Sequence, residues 1–295
     1  MLSTTKQEKE ENCGGLYNNN NRLIDKKIIH GILEQAGIRH RIHDLTIWQS
    51  AFIHNSYSRK CKLNKIYNRD NKELHEPISE NPPEGCLPLQ EGSNERIEWL
   101  GDAILQTIIT TYLFNRYPTQ DEGFLTKLRS KIVKTGSLSI LATYYGMEKY
   151  ILMSEYVEKS CNGRTNKKIL EDTFEAFIGA MYKDFGFKDH ATGFKICEEF
   201  IVGTIEKCLD LTNLIMTEDN FKDVLMRLYH KKFAGKYPVY YEIESDKESK
   251  TFTMAVRHPV SGKVVGQATA SSKKQAEQNA AQIAVKYFEK EGITI

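Results

Sequence analysis

What the sequence lacks narrows it before any motif is read. No stretch is long and apolar enough to span a bilayer, so a membrane protein is not expected. Residues 1–22 hold acids and an Asn run but no apolar segment, and so resemble neither a secretory signal nor a transit peptide. Six cysteines, at 13, 61, 86, 161, 197 and 208, form no Cys-x-x-Cys pair and follow no regular spacing. In 295 residues with ample core material, that pattern reads as reduced intracellular thiols, in cytoplasm or nucleus, rather than as a disulfide framework. A large excess of either charge is lacking too. Lys and Arg number 41 against 39 Asp and Glu, a net of +2 that cannot by itself identify a nucleic-acid binder.

What is present begins with residues 94–105, NERIEWLGDAIL. At about 100° per residue, Glu95, Glu98 and Asp102 fall within an arc of roughly 60° on a helix. Ile97, Leu100, Ile104 and Ile108 project from the opposite side. No Lys or Arg lies on the acidic face within one turn of these acids. Such a stripe is either ordinary solvated surface or, because it repels itself until cations join it, a site for a hard metal ion.

A second helix with the same layout favours the metal. In residues 169–185, ILEDTFEAFIGAMYKDF, Asp172 and Glu175 are three apart, and Phe174, Phe177, Ile178, Met181 and Phe185 form the apolar stripe. Gly179 lies beyond the acids on their own face, where the missing side chain admits either a phosphate or another backbone. Lys168, four residues before Asp172, is either its surface partner or a group that leans into an anionic site to hold a phosphate. Packed at their acidic edges, the two helices would gather Glu98, Asp102, Asp172 and Glu175. Four carboxylates without His or Cys are the ligand set of Mg²⁺, with Mn²⁺ as a substitute. The chemistry implied is phosphoester hydrolysis, with no small-molecule cofactor.

These segments resemble the endonuclease domain of the ribonuclease III family. The likeness is carried by NERIEWLGDAIL and LEDTFEAFIGAMYKDFG, together with AFIHNSY at 51–57 and DEGFLTKLRSKIV at 121–133, four motifs in the family's order. The resemblance implies an all-α domain over 23–212 with Glu98, Asp102, Asp172 and Glu175 as metal-binding acids. It also implies that Glu95 and Glu122 line the cleavage valley and help to hold the scissile strand. Within AFIHNSY, His54 reads as a polar residue satisfied by the fold. Trp99 lies about 40° from Glu95 on the helical wheel, outside the Ile/Leu stripe. It is either partly covered surface or an anchor for a partner. The matching residue of the family is an aromatic that inserts into the second subunit, which implies a homodimer with two acidic clusters facing one duplex.

The C-terminal part reads as a separate α+β module. NFKDVLMRLYHKKF has helical periodicity, VYYEIES, TFTMAVRH and KVVGQATA are β-rich, and SSKKQAEQNAAQIAVKYF closes as a helix. Ala276, Ala280, Ala281 and Ala284 share one close-packing face of that helix. The α-β-β-β-α order with SSKKQAEQNAA, expected over 218–291, resembles the double-stranded RNA-binding domain. Lys273 and Lys274 sit at a helix N-terminus that favours phosphate. Residues 219–295 carry 13 basic against 9 acidic side chains, the rest 28 against 30, so the positive excess lies in this module. Two departures weaken it. Met226 and Arg227 stand where the family carries polar residues, and SDKESK at 245–250 replaces the family's Gly-Pro-x-His loop. Arg227 is then expected to touch phosphate, and duplex binding to be weak and steeply salt-dependent.

Three polar stretches remain. Residues 1–22 are expected to be a disordered tail, and 58–93 a mostly disordered insertion. KSCNGRTNKK at 159–168 is expected as a loop that carries basic residues toward RNA. The whole reads as a Mg²⁺-dependent endoribonuclease that cleaves double-stranded RNA and leaves 5′-phosphate and 3′-hydroxyl ends. A short linker near 211–219 would join its two domains. The competing reading is a non-catalytic protein that sequesters duplex RNA.

Overall fold

Helices alone make up the larger part of the chain in a computed structural model, which describes residues 15–59, 82–217, 220–246 and 249–294. The chain divides into two units, Met1–Leu214 and Ile215–Ile295. In the first run α1 (Lys26–Gln35), α2 (Leu45–Ser50), α3 (Glu95–Arg116), α4 (Glu122–Ile132), α5 (Thr135–Tyr144), α6 (Glu155–Ser160), α7 (Lys167–Phe185) and α8 (His190–Cys208), and the boundary falls within α9 (Leu211–Met216). No helix among the described residues is long and apolar enough to cross a membrane.

Helix α7 is the axis of this unit. Asn166 caps it, its side chain accepting from the backbone N–H groups of Lys168 and Ile169 at 2.9 and 3.4 Å. From Ile169 to Phe185 nearly every residue is buried, as a helix surrounded by others requires. Phe174 and Phe177 meet Phe200 of α8 at ring-centroid distances of 6.1 and 5.6 Å, and Trp48 of α2 sits 5.0 Å from Phe177. Such pairs add about 0.5–1.5 kcal/mol each beyond the area they bury.

Helix α3 packs along α7 at an unusually close crossing. A methyl group built on Gly101 would lie 1.8 Å from the carbonyl oxygen of Glu175, and one on Gly179 would lie 2.2 Å from that of Ile97. Only glycine fits at either place. Of the two uses open to Gly179, the structure shows the approach of another backbone.

The second unit is α10 (Phe221–Lys232), the antiparallel sheet β1 (Tyr240–Asp246), β2 (Thr251–Arg257) and β3 (Val264–Ala270) in that order, and α11 (Lys273–Lys290). Its core joins Leu225, Leu228 and Tyr229 of α10 to Val256, Val265 and the α11 face. Ala276, Ala280, Ala281 and Ala284 are fully buried, as their spacing predicts. Gly266 of β3 completes that fit, since a methyl there would lie 2.1 Å from the Ala280 carbonyl.

Several expectations need correction. Of the tail expected to be disordered, residues 1–14 lie outside the described residues, but 15–22 are packed. Asn18 and Asn21 are buried, and both donate to the carbonyl of Met153, at 3.1 and 3.0 Å. Of the insertion, 60–81 lie outside the described residues, while 82–93 return against the fold: Leu89 is buried and the Leu87 carbonyl accepts from the Tyr57 hydroxyl at 2.7 Å. The stretch 159–168 is partly helical, and Arg164 turns inward. It pairs with Glu158 at 2.9 Å and donates to the carbonyls of Glu148 and Ile151. The linker region opens as α9, whose Leu211 is buried in the larger core, while 218 and 219 lie outside the described residues. The four described cysteines, 86, 161, 197 and 208, are free.

Candidate metal centre

Where α3 and α7 cross, their acidic edges enclose a cleft of about 640 Å³. Glu95, Glu98, Trp99 and Asp102 line it from α3, and Lys168, Glu171, Asp172 and Glu175 from α7. The two glycines set this geometry. Gly101 precedes Asp102 and abuts the Glu175 carbonyl, so the closest approach of the backbones lies next to the acids. Asn94 anchors the start of α3, its N–H donating to the Ile53 carbonyl at 2.8 Å.

Oxygens of Glu98, Asp172 and Glu175 lie within 4.8 Å of one another. Asp102 stands beside them and accepts from Gln106 Nε2 at 3.2 Å. Glu95 sits at the rim, accepting from Asn55 Nδ2 at 3.3 Å and Ser93 Oγ at 2.8 Å. Lys168 Nζ is 2.7 Å from Asp172 Oδ1, and both residues line the cleft.

The electrostatics follow from crowding. Burial pushes the Glu98 carboxyl up to about 7; the charge of Asp172 adds to the rise and Lys168 opposes it. Burial, then the charges of Asp102 and Glu171, push Glu175 up to about 8. Burial works against the charge of Lys168, but the Asp172 and Glu171 carboxylates outweigh it and raise its pKa. One ammonium shared among so many carboxylates leaves the cleft short of positive charge. All-oxygen donors at this spacing, with a deficit of positive charge around them, fit a hard divalent cation.

Of the other candidates, Trp99 and His54 also line the cleft. Glu122 opens α4, accepts from its own Thr126 Oγ1 at 2.8 Å, and is not among the residues that line the cleft. Trp99 is 77 % exposed at the cleft edge, outside the apolar stripe as the helical wheel places it. His54 is satisfied locally, its Nδ1 2.8 Å from Ser56 Oγ. In the second unit Lys273 and Lys274 are exposed at the start of α11, and Lys273 Nζ pairs with Glu242 at 2.6 Å. Arg227 pairs with Asp223 at 3.0 Å.

One residue escaped the sequence reading. Glu171 is only 8 % exposed, lines the cleft and reaches Lys168 Nζ at 3.3 Å. Its spacing was a usable signal: three residues past Lys168 and four before Glu175, it shares their face of α7.

Comparison with known proteins agrees with this layout. The family profile described as Ribonuclease III domain matches residues 95–186, and that described as Double-stranded RNA binding motif matches 221–288. A Ribonuclease 3 of Borreliella afzelii is 36 % identical over 73 % of this chain and 84 % of its own length. One from Streptococcus gordonii is 32 % identical over 90 % of this chain and 97 % of its own. A Probable ribonuclease 3 of Acanthamoeba polyphaga mimivirus is 34 % identical over 94 % of this chain, which spans only 48 % of that longer protein.

Proposed function

The chain belongs to the ribonuclease III family and is an endoribonuclease acting on double-stranded RNA, and from that premise we propose that it hydrolyses duplex RNA with a divalent cation held by Glu98, Asp102, Asp172 and Glu175. The products are 5′-phosphate and 3′-hydroxyl ends, and the role is RNA processing or removal of duplex RNA. The observation that carries this reading is the convergence of the Glu98, Asp172 and Glu175 oxygens within 4.8 Å in an electron-rich cleft. When bound, Mg²⁺, or Mn²⁺ in its place, supplies Lewis-acid activation of water and neutralises charge at the leaving oxygen.

The protein's own groups do the rest. Burial and neighbouring acids raise Glu98 to about 7 and Glu175 to about 8, so a cation bound by these carboxylates would displace protons from them. Glu95 at the rim, fixed by Asn55 and Ser93, orients the strand that enters. Lys168, the one ammonium among the described residues that line the cleft, is offered to a phosphate oxygen. Glu122 acts farther out along the strand, through α4. Lys273, Lys274 and Arg227 contact duplex phosphates from the second unit. Trp99, exposed beside the acids, anchors a second copy of the chain, so that two clefts serve the two strands of one duplex.

Long duplex RNA incubated with the full chain tests this reading. Cleavage is expected with Mg²⁺ or Mn²⁺ and none with EDTA, and the 5′ ends should accept label only after phosphatase treatment. Cleavage that persists in EDTA, or 5′-hydroxyl ends, would overturn it.

A further inference from the structure

Two carboxylates hold Lys168, and the metal site claims only one of them. Its Nζ lies 2.7 Å from Asp172 Oδ1 and 3.3 Å from Glu171 Oε2. Asp172 belongs to the cluster of three whose oxygens converge, whereas Glu171 does not. An oxygen that is neutralised by an ammonium competes poorly for a cation, so Lys168 and the metal contend for Asp172. Glu171 is buried, and a buried carboxylate is costly without a partner. Lys168 is the partner it has. The start of α7 is fixed as well, because Asn166 accepts from the Lys168 N–H at 2.9 Å. The Lys168 side chain is 62 % exposed, so its head lies where a duplex would arrive.

We propose that Glu171 is a positioning residue: it keeps Lys168 at the mouth of the cleft when Asp172 turns to the divalent cation, leaving the ammonium free to meet a non-bridging phosphate oxygen of the RNA. This rests on the metal-site reading above. Spacing makes it workable, since acids three and four residues beyond Lys168 both reach one ammonium from the same helix face. Without Glu171, Lys168 collapses onto Asp172 and blocks the cation. Without both, Asp172 is released. The ion pair is therefore a two-position holder rather than a surface contact.

The test is Mn²⁺ titration of the full chain by calorimetry, for wild type, Glu171→Gln, Lys168→Met and the double variant. Glu171→Gln should weaken Mn²⁺ binding by roughly ten- to a hundredfold, the range for lost outer partners of metal ligands. Lys168→Met should not weaken it, and should lower kcat on duplex RNA with KM little changed. The double variant should recover the Mn²⁺ affinity of Lys168→Met. If Glu171→Gln binds like wild type, the proposal falls. If the double variant stays as weak as Glu171→Gln, Glu171 is itself a ligand and the proposal also falls. Should Glu171→Gln fail to fold, weaker Mn²⁺ binding by Lys168→Met overturns the proposal and unweakened binding upholds it. Failure of the underlying metal site looks different: wild type binds no Mn²⁺, or Glu175→Gln binds it unchanged.

Discussion

Adding a single methyl group at the α3–α7 crossing should damage both the fold and the cleft. In a free helix interior, Gly→Ala stabilises by about 1 kcal/mol, because glycine gives up more backbone freedom on folding. Gly31 of α1 is in that situation: its side-chain position meets nothing within 4 Å. Gly101 is not, for a methyl there lies 1.8 Å from the Glu175 carbonyl oxygen, a backbone atom that cannot rotate away. Moving that oxygen to ordinary contact at 3.4 Å opens the crossing by about 1.6 Å. Overpacking of this kind costs typically about 1–3 kcal/mol, and the backbone gain is common to both sites, so Gly101→Ala should leave the protein about 1–3 kcal/mol less stable than Gly31→Ala does. The same displacement separates Glu98 on α3 from Asp172 and Glu175 on α7. Magnesium holds oxygens at about 2.0–2.1 Å and tolerates little distortion, so cation binding should fall steeply, and misplacement by an ångström can cost about a hundredfold in rate. Urea unfolding of both variants, with Mn²⁺ titration beside it, gives the answer. Equal stabilities, or undiminished Mn²⁺ binding by Gly101→Ala, would refute the packing argument.

Three further outcomes follow from the same structure. Glu98 and Glu175 have folded-state pKa values of about 7 and about 8, above the 4.5 of a free glutamate. Their contribution to stability is therefore complete below about pH 4.5 and is lost as pH rises through 7 and 8. In EDTA the Tm measured by calorimetry should fall between pH 5.5 and 8.5, and Mg²⁺ should restore it at pH 8.5; a Tm that rises over this range would contradict the reading. Glu242→Gln frees Lys273 from its ion pair, so duplex RNA should bind more tightly and log Kd should gain roughly one more unit of dependence on log salt. Unchanged affinity and slope would place Lys273 away from the RNA. Trp99→Ala removes an exposed anchor of the kind that carries 2 kcal/mol or more at interfaces, so sedimentation should show a dimer weakened by about thirtyfold or more. A dimer of undiminished strength would clear Trp99 of that role.

How far the sequence could be read depended on whether a residue's partner lay near it in the chain. Glu95, Glu98 and Asp102 share a face because a helix puts them there, and the matching pair Asp172 and Glu175 needs only one packing step to meet them. The alanines of α11 and the exposure of Trp99 are likewise properties of a single helix. Residues whose neighbours come from far away were misread. Asn18 and Asn21 looked like a solvated tail, yet their amides satisfy Met153, more than 130 residues on. Arg164 looked like a charge for RNA, but it holds carbonyls of the preceding turns together. Glu171 was passed over because its neighbours Asp172 and Glu175 already filled the motif, although its spacing from Lys168 and Glu175 put it on their face of α7.

The central claim is that the carboxylates between α3 and α7 hold a cation that cleaves duplex RNA. Glu175→Gln keeps the shape of the most strongly perturbed of them and removes its charge. Cleavage of long duplex RNA by this variant at saturating Mg²⁺, measured beside its duplex affinity, tests the claim most directly. The account predicts that cleavage drops by about a hundredfold or more while affinity for the duplex stays at the wild-type value. Cleavage at the wild-type rate would contradict it.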